Sequence, residues 1–252
     1  AYHAGLVGKY VIEKLAKIPV EVDIASEFRY RDALVDEKTL VIIISQSGET
    51  LDTLAALKEA KAKGARILSI VNVVGSSIAR ESHDVLYTWS GPEIAVASTK
   101  AYVAQLIALY EIALYMADLK ETLSKEEIKA IKDQMLALPE KIQKTLENQE
   151  EIKKFAKQYS GVKDVFFLGR GLDSAVAMEG SLKLKEISYI HSDAYAAGEL
   201  KHGPIALIEK GTIVIAIMAQ QALYEKMLNN VKEVKARGAY VFAIAKEGHK
   251  EV

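Results

Sequence analysis

The chain has 252 residues, which is enough for one large domain or two domains of modest size. Its 33 basic and 34 acidic side chains give a net charge of −1, which argues against nucleic acid or an anionic membrane surface as a partner. The absence of cysteine excludes disulfides and thiolate chemistry and fits a reducing compartment, so we expect a cytoplasmic protein. The five histidines show no metal-ligand spacing, and we therefore expect no metal site and no cofactor.

Helices and strands alternate along the first half of the sequence. Apolar residues at helical spacing predict a helix over residues 2–16, and alternating or continuous apolar runs predict strands over 20–25, 40–45 and 66–72. Leu51 begins a helix that ends near Gly64. The remaining predicted elements are a short helix at 76–81, a short strand at 85–88 and a long apolar helix at 99–119.

The long apolar helix could almost span a membrane by its length. Four polar residues interrupt it, and we therefore predict a buried packing helix that has no contact with a bilayer. These residues are Lys100, Gln105, Glu111 and Asp118.

The second half of the sequence repeats the first, after a charged helical linker predicted over residues 124–160. EAKAKGARILSIVN at 59–72 matches EVKARGAYVFAIAK at 233–246, an offset of 233 − 59 = 174, and the same offset places LVIIISQ at 40–46 on VIAIMAQ at 214–220. This repeat predicts two α/β units on parallel sheets with right-handed crossovers. The predicted domains cover residues 1–123 and 161–252.

The repeat also predicts truncation at both chain ends. A strand at 165–169 precedes Ala175, which matches Ala1, so we expect the first domain to lack its first strand. The first copy continues well beyond Asn72, whereas the second stops soon after Lys246, so we expect the second domain to be incomplete.

A hydroxyl-rich turn follows the strand at 40–45. Ser45, Ser47 and Thr50 flank Gly48 immediately before a helix, where free backbone N–H groups attract anions. The glycine permits close approach of the backbone to a ligand. This pattern favours a phosphate site over the alternative, in which one serine simply caps an ordinary turn.

A second group of candidate residues lies in the segment 179–204. Lys183 and Glu186 share one helix face, and they form either a solvated ion pair or part of a proton-transfer site. Glu199, Lys201 and His202 follow in a turn flanked by glycine and proline.

Two further turns have equally balanced interpretations. Ser98 or Thr99 is either the N-cap of the long helix or a ligand contact, and Gly169-Arg170-Gly171 is either a structural or a ligand-contacting turn.

Together these motifs resemble the isomerase half of the glutamine–fructose-6-phosphate aminotransferases, also called glucosamine-6-phosphate synthases. The resemblance covers essentially the whole chain and implies two sugar-isomerase (SIS) domains, each a three-layer αβα sandwich on a parallel sheet. The segments that carry it are SQSGET, EIAVASTKA, FLGRG, EGSLKLKEISYIH and AYAAGELKHGP.

The resemblance implies a role for each candidate residue. Glu186 matches the base that moves a proton between C2 and C1 of the sugar, and Lys183 lies beside it. His202 matches a residue that assists ring opening and reaches the neighbouring subunit's site, which implies a homodimer. The residues that match contacts to the phosphate are Ser45, Gln46, Ser47 and Thr50, and those that match contacts to the sugar are Val96 and Ser98.

The chain also departs from this family pattern. Ala1 stands where relatives carry a serine, and neither the glutaminase domain nor the C-terminal lysine tail of the family is in this sequence. The resemblance therefore implies a glutaminase domain elsewhere in a full-length chain, and a hexose 6-phosphate as the ligand of this portion. Two alternatives stay open: a regulatory module that binds a phosphosugar, and a stand-alone amino-sugar phosphate deglycase or isomerase.

Overall fold

The computed structural model describes residues 1–248. The chain divides into two compact units, Ala1–Ile128 and Lys129–Val252. Within residues 1–248, each unit contains one parallel sheet, of three strands in the first and four in the second, as the repeat predicts.

The first unit contains three parallel strands in the order β1-β2-β3. Its elements are α1 (Tyr2–Ala16), α2 (Ala25–Phe28), β1 (Leu40–Ser45), α3 (Leu51–Ala62), β2 (Arg66–Val71), α4 (Ser77–Glu81), β3 (Asp84–Tyr87) and α5 (Lys100–Leu119), and α6 (Lys125–Leu136) crosses the boundary between the units.

The sheet of the first unit is covered on both faces. Leu57 of α3 and Ile78 of α4 are buried with Ile67 on one face. On the other face, Leu109 of α5 is buried with Ile70 and with α1. Alternating side chains of β2 therefore serve two cores, which gives the predicted three-layer arrangement.

The long helix α5 packs against α1 and against the sheet. Among residues 1–248 it alone is long and apolar enough to cross a membrane by length and composition. Its Leu109 lies so close to α1 that a side chain at Gly8 would meet it at 2.9 Å. This close packing agrees with the predicted role as a core helix.

In the described part of the second unit the strand order is β5-β4-β6-β7, and these strands are parallel. Its elements are α7 (Leu138–Leu146), α8 (Gln149–Gln158), β4 (Asp164–Gly169), α9 (Leu172–Ser188), β5 (His191–Ala196), β6 (Ile213–Met218), α10 (Tyr224–Ala236) and β7 (Tyr240–Ala245), with 3₁₀ turns at Ala197–His202, Pro204–Leu207 and Gln221–Leu223.

Helices α9 and α10 cover opposite faces of the second sheet. Ala177 of α9 packs with Phe167, whereas Val231 of α10 packs with Leu168. The chain leaves β4 through α9 towards β5 and leaves β6 through α10 towards β7. The carboxyl ends of β4 and β6 therefore form a topological switch point, where open α/β sheets bind their ligands.

The strand predicted at residues 20–25 is wrong. Residues 17–24 form no strand, and α2 begins at Ala25. In the second unit the corresponding strand, β5, pairs with β4, whereas no described strand of the first unit stands in the place of β4. A strand needs the ladder hydrogen bonds of a neighbour. Instead, the carboxylate of Glu13 accepts the N–H of Val20 at 3.1 Å.

The single offset of 174 does not hold for every strand of the repeat. Ser45 pairs with Val71 in the first unit, and Met218 pairs with Ala245 in the second. Val71 and Ala245 differ by 245 − 71 = 174, but Ser45 and Met218 differ by 218 − 45 = 173. Gln46 therefore corresponds to Ala219, one residue away from the match that the sequence predicts.

Candidate functional site

The turn after β1 is built around Gly48. Its φ of +68° favours glycine, and a Cβ at this position would lie 2.1 Å from the hydroxyl oxygen of Ser76. The hydroxyl oxygen of Ser45, which is buried at the end of β1, accepts the N–H of Gly48 at 3.0 Å. The tight turn therefore depends on both the glycine and the serine of the SQSGET motif.

Hydrogen bonds join this turn to α4. The N–H of Ile78 donates to the carbonyl of Gly48 at 3.0 Å, and the N–H of Ser77 donates to Oε1 of Glu49 at 2.8 Å. Hydrogen bonds from the hydroxyl and then the N–H of Ser77, helped by the charge of Arg80, lower the pKa of the Glu49 carboxyl. Glu49 therefore connects the turn after β1 to the first residue of α4, a role that the sequence reasoning missed.

The turn leads directly into the N-terminus of α3. Thr50 occupies the N-cap position, and its side chain makes no capping hydrogen bond. The hydroxyl oxygen of Ser47 accepts the N–H of Glu49 at 3.2 Å. The first turn of a helix has N–H groups without intrahelical acceptors, so this terminus is suited to an oxyanion. That Ser45, Gln46, Ser47 and Thr50 bind a phosphate stays a prediction.

The N-terminus of α5 is capped by Glu93. Thr99 occupies the N-cap position without a side-chain capping bond. Oε2 of Glu93 instead accepts the hydroxyl of Ser98 at 3.3 Å and the N–H of Ala101 at 3.2 Å. Thr99 is therefore the N-cap residue, as one of the sequence interpretations has it, but the side-chain acceptor that caps the helix is the carboxylate of Glu93. Val96, in the same loop, is 97% exposed.

Three charged side chains cluster on one face of α9. Nζ of Lys183 lies 2.5 Å from Oε2 of Glu186 and 3.6 Å from Oε1 of Glu179, and the three side chains are 21%, 30% and 10% exposed respectively. Oε2 of Glu186 is shielded from solvent, and its contact with Lys183 has the distance of an ion pair without the angle of a hydrogen bond. A fully solvated ion pair, one of the two sequence interpretations, does not describe this cluster.

His202 lies on the 3₁₀ turn Ala197–His202 and is 72% exposed. Its Nε2 is 4.0 Å from Oε2 of Glu199. Nζ of Lys201 is paired with Oε1 of Glu233 at 2.8 Å. The structure therefore brings Lys183 and Glu186 together, whereas His202 lies near a different carboxylate.

The turn Gly169-Arg170-Gly171 is structural and also positions a buried carboxylate. A Cβ on Gly169 would lie 2.4 Å from the backbone of Asp173, so only glycine permits this approach. Asp173 is 5% exposed, and its Oδ2 accepts the N–H groups of Ala219 and Gln220. The sequence reasoning missed Asp173, because its partners follow a different strand.

No group of three or more histidine, cysteine, aspartate or glutamate side chains within residues 1–248 could hold a metal ion.

A family model and a curated relative identify the family of this chain. The family model described as "SIS domain" matches residues 1–115 and 158–252. The glutamine–fructose-6-phosphate aminotransferase (isomerizing) of Clostridium tetani is 66% identical over 252 residues, which are 100% of this chain and 41% of that protein. The chain therefore spans about two fifths of the length of this curated relative.

Two solved structures are similar to this chain. The C-terminal domain of glucosamine-fructose-6-phosphate aminotransferase from Francisella tularensis matches with a TM-score of 0.97 and 43% identity, over 99% of this chain and 71% of that chain. A glucosamine-6-phosphate deaminase from Thermotoga maritima matches with a TM-score of 0.78 and 26% identity, over 98% and 73% of the two chains.

Proposed function

This chain belongs to the SIS family and, within it, to the C-terminal isomerase domains of the glutamine–fructose-6-phosphate aminotransferases, and we propose that it binds a hexose 6-phosphate and interconverts its keto and aldo forms. In the full-length enzyme, glutamine supplies the amino group, and fructose 6-phosphate becomes glucosamine 6-phosphate. The observation that carries the proposal is the partly buried group of Glu179, Lys183 and Glu186 on α9.

The phosphate binds at the turn after β1. The hydroxyls of Ser47 and Thr50 and the N-terminus of α3 offer donors to a phosphate dianion, and Ser45 holds the turn in shape through Gly48. Binding of the phosphate fixes the sugar, so that its reacting carbons are presented in one orientation.

The proton transfer is assigned to Glu186. Interconversion requires one base that takes a proton from C1 of the ketose and returns it to C2, and a carboxylate close to both carbons can do this. Lys183, 2.5 Å away, holds the carboxylate in place and offers a charged N–H group to the sugar oxygens. Glu179 also contacts Lys183, so removal of Glu186 leaves the lysine with a partner.

The test is Glu186→Gln in the full-length enzyme. The amide keeps the shape of the side chain and removes its basicity, so interconversion should fall by about 100-fold or more while the Kd for fructose 6-phosphate changes only a few-fold. Glu225→Gln makes the same chemical change on an exposed residue of α10 and should leave both quantities unchanged.

Two outcomes would contradict this assignment. Near-normal interconversion by the Glu186→Gln enzyme would move the role of base to another residue. Equal losses in binding and rate would make Glu186 a binding residue and would favour a regulatory phosphosugar module. A deglycase is the further alternative, and an intact enzyme that uses glutamine as its amino donor would exclude it.

The partners and the location of the protein also belong to this proposal. His202 is exposed within its own unit, which is consistent with a role at the site of a neighbouring subunit in a homodimer. A glutaminase domain in the full-length chain and a cytoplasmic location complete the proposal.

A further inference from the structure

The switch point of the second unit lies at the carboxyl ends of β4 and β6. The segments that follow these two strands meet there: Nε2 of Gln220 donates to the carbonyl of Arg170 at 2.7 Å. In open α/β sheets this crevice is the usual ligand site. In the second unit it is occupied by the chain's own groups.

The central group in this crevice is the carboxylate of Asp173. One oxygen, Oδ2, accepts the N–H of Ala219 at 2.9 Å and the N–H of Gln220 at 3.2 Å. Asp173 is 5% exposed and lies in the first turn of α9, where the helix dipole favours a negative charge. Two converging backbone N–H groups around a buried oxygen are the elements of an oxyanion site.

Strand register identifies the corresponding place in the first unit. Because Met218 corresponds to Ser45, the residues Ala219 and Gln220 correspond to Gln46 and Ser47. These are the two residues that open the turn of the proposed phosphate site. The two units therefore place equivalent backbone groups at equivalent edges of their sheets.

We infer that the backbone N–H groups of Ala219 and Gln220 form an oxyanion site in the second unit, at the sheet edge that corresponds to the proposed phosphate site of the first, and that the carboxylate of Asp173 fills it. In the native chain this site is therefore closed to a ligand anion, and it attaches α9 to the segment that follows β6. That the equivalent turn of the first unit binds a phosphate rests on the proposed function. That the site of the second unit is filled rests only on the contacts of Asp173.

The test removes the internal anion and offers inorganic phosphate in its place. Asp173→Ala is made in a chain that also carries Ser47→Ala and Thr50→Ala, so that phosphate binding at the first unit does not contribute to the measured response. Thermal unfolding is measured in phosphate and in potassium chloride of equal ionic strength. The parent is the chain that carries only Ser47→Ala and Thr50→Ala. At a phosphate concentration about 100 times the Kd for phosphate, the unfolding midpoint of the Asp173→Ala chain should rise by on the order of 5 °C more than that of the parent.

Two controls isolate the effect. Asp173→Asn keeps an oxygen that accepts both N–H groups, so its midpoint should show no added response to phosphate. Asp164→Ala removes an exposed carboxylate of the same unit, which is paired with His191, and should respond to phosphate as the parent does.

Backbone amide NMR shifts of the unaltered chain give a test that does not depend on the folding of any variant. Addition of phosphate should leave the signals of Ala219 and Gln220 in place, because their acceptor site is filled. Displacement of those signals in the unaltered chain, or equal phosphate responses of the Asp173→Ala chain and its parent, would overturn the inference. If Ser47→Ala and Thr50→Ala did not weaken fructose 6-phosphate binding, only the proposed function would fail.

Discussion

Substitution of Gly48 by alanine should disrupt the turn after β1 by two separate effects. An alanine at a φ of +68° costs about 1–2 kcal/mol in the left-handed region. Its Cβ would also lie 2.1 Å from Oγ and 2.5 Å from Cβ of Ser76, and overlap of this kind costs about 1–3 kcal/mol more. Gly48→Ala should therefore lower the free energy of unfolding by about 2–5 kcal/mol in total.

Gly75 supplies a matched control for this change. Its φ is +71°, yet a Cβ there would meet no atom within 4 Å. Gly75→Ala should therefore be destabilised only by the unfavourable backbone conformation of the alanine. Urea denaturation of both variants measures the difference, which we expect to be about 1–3 kcal/mol. Ser76→Gly, added to Gly48→Ala, should recover part of it.

Binding of fructose 6-phosphate to the same variants connects the turn to function. Calorimetric titration should show weaker binding to the Gly48→Ala chain and nearly unchanged binding to the Gly75→Ala chain. Equal losses of stability and of binding in the two variants would refute the reasoning, because they would leave no role for the contact between Gly48 and Ser76.

Two further predictions concern carboxylates that the sequence reasoning missed. Glu93→Ala removes the acceptor of the Ser98 hydroxyl and the Ala101 N–H, so it should destabilise the chain by about 1 kcal/mol in urea denaturation, whereas Glu93→Gln keeps an acceptor and should lose less. Hydrogen bonds from Ser77 lower the pKa of Glu49 in the folded state. The stability advantage of the wild type over Glu49→Gln should therefore be complete above the unfolded pKa of Glu49 and should vanish as the pH falls through the lowered folded pKa. A constant difference across this pH range would contradict the role of Glu49.

The sequence predicted those parts of the fold that depend on local patterns. The apolar runs at β1 and β2 and the helical spacing of α5 each appear close to the predicted bounds, because period and length alone define such elements. The repeat also predicted two units, since both contain the same strand–helix–strand pattern.

Features that depend on distant partners could not be predicted in this way. The segment 20–25 alternates like a strand but has no neighbour to pair with in the first unit. Asp173 and Glu93 have partners that follow a different strand or lie across a loop. The offset of 174 failed at β6 because pairing register, unlike composition, is a property of two strands together.

The same distinction between local patterns and distant partners applies to the candidate site. The turn at Ser45 to Thr50 and the pair of Lys183 and Glu186 follow from short motifs, and the structure places both on the expected elements. Glu179 also contacts Lys183, because the two residues lie on the same face of α9.

The most direct test of the central claim is calorimetric binding of fructose 6-phosphate and of free fructose to the wild-type chain and to Ser47→Ala and Thr50→Ala. Each lost charge-assisted hydrogen bond should cost about 1.5–3 kcal/mol, so the phosphosugar should bind roughly 10- to 100-fold more weakly to each variant. Any binding of free fructose should stay unchanged, because fructose carries no phosphate for the turn to bind. Equal losses for both sugars, or no loss for either, would contradict the assignment of this turn as the phosphate site.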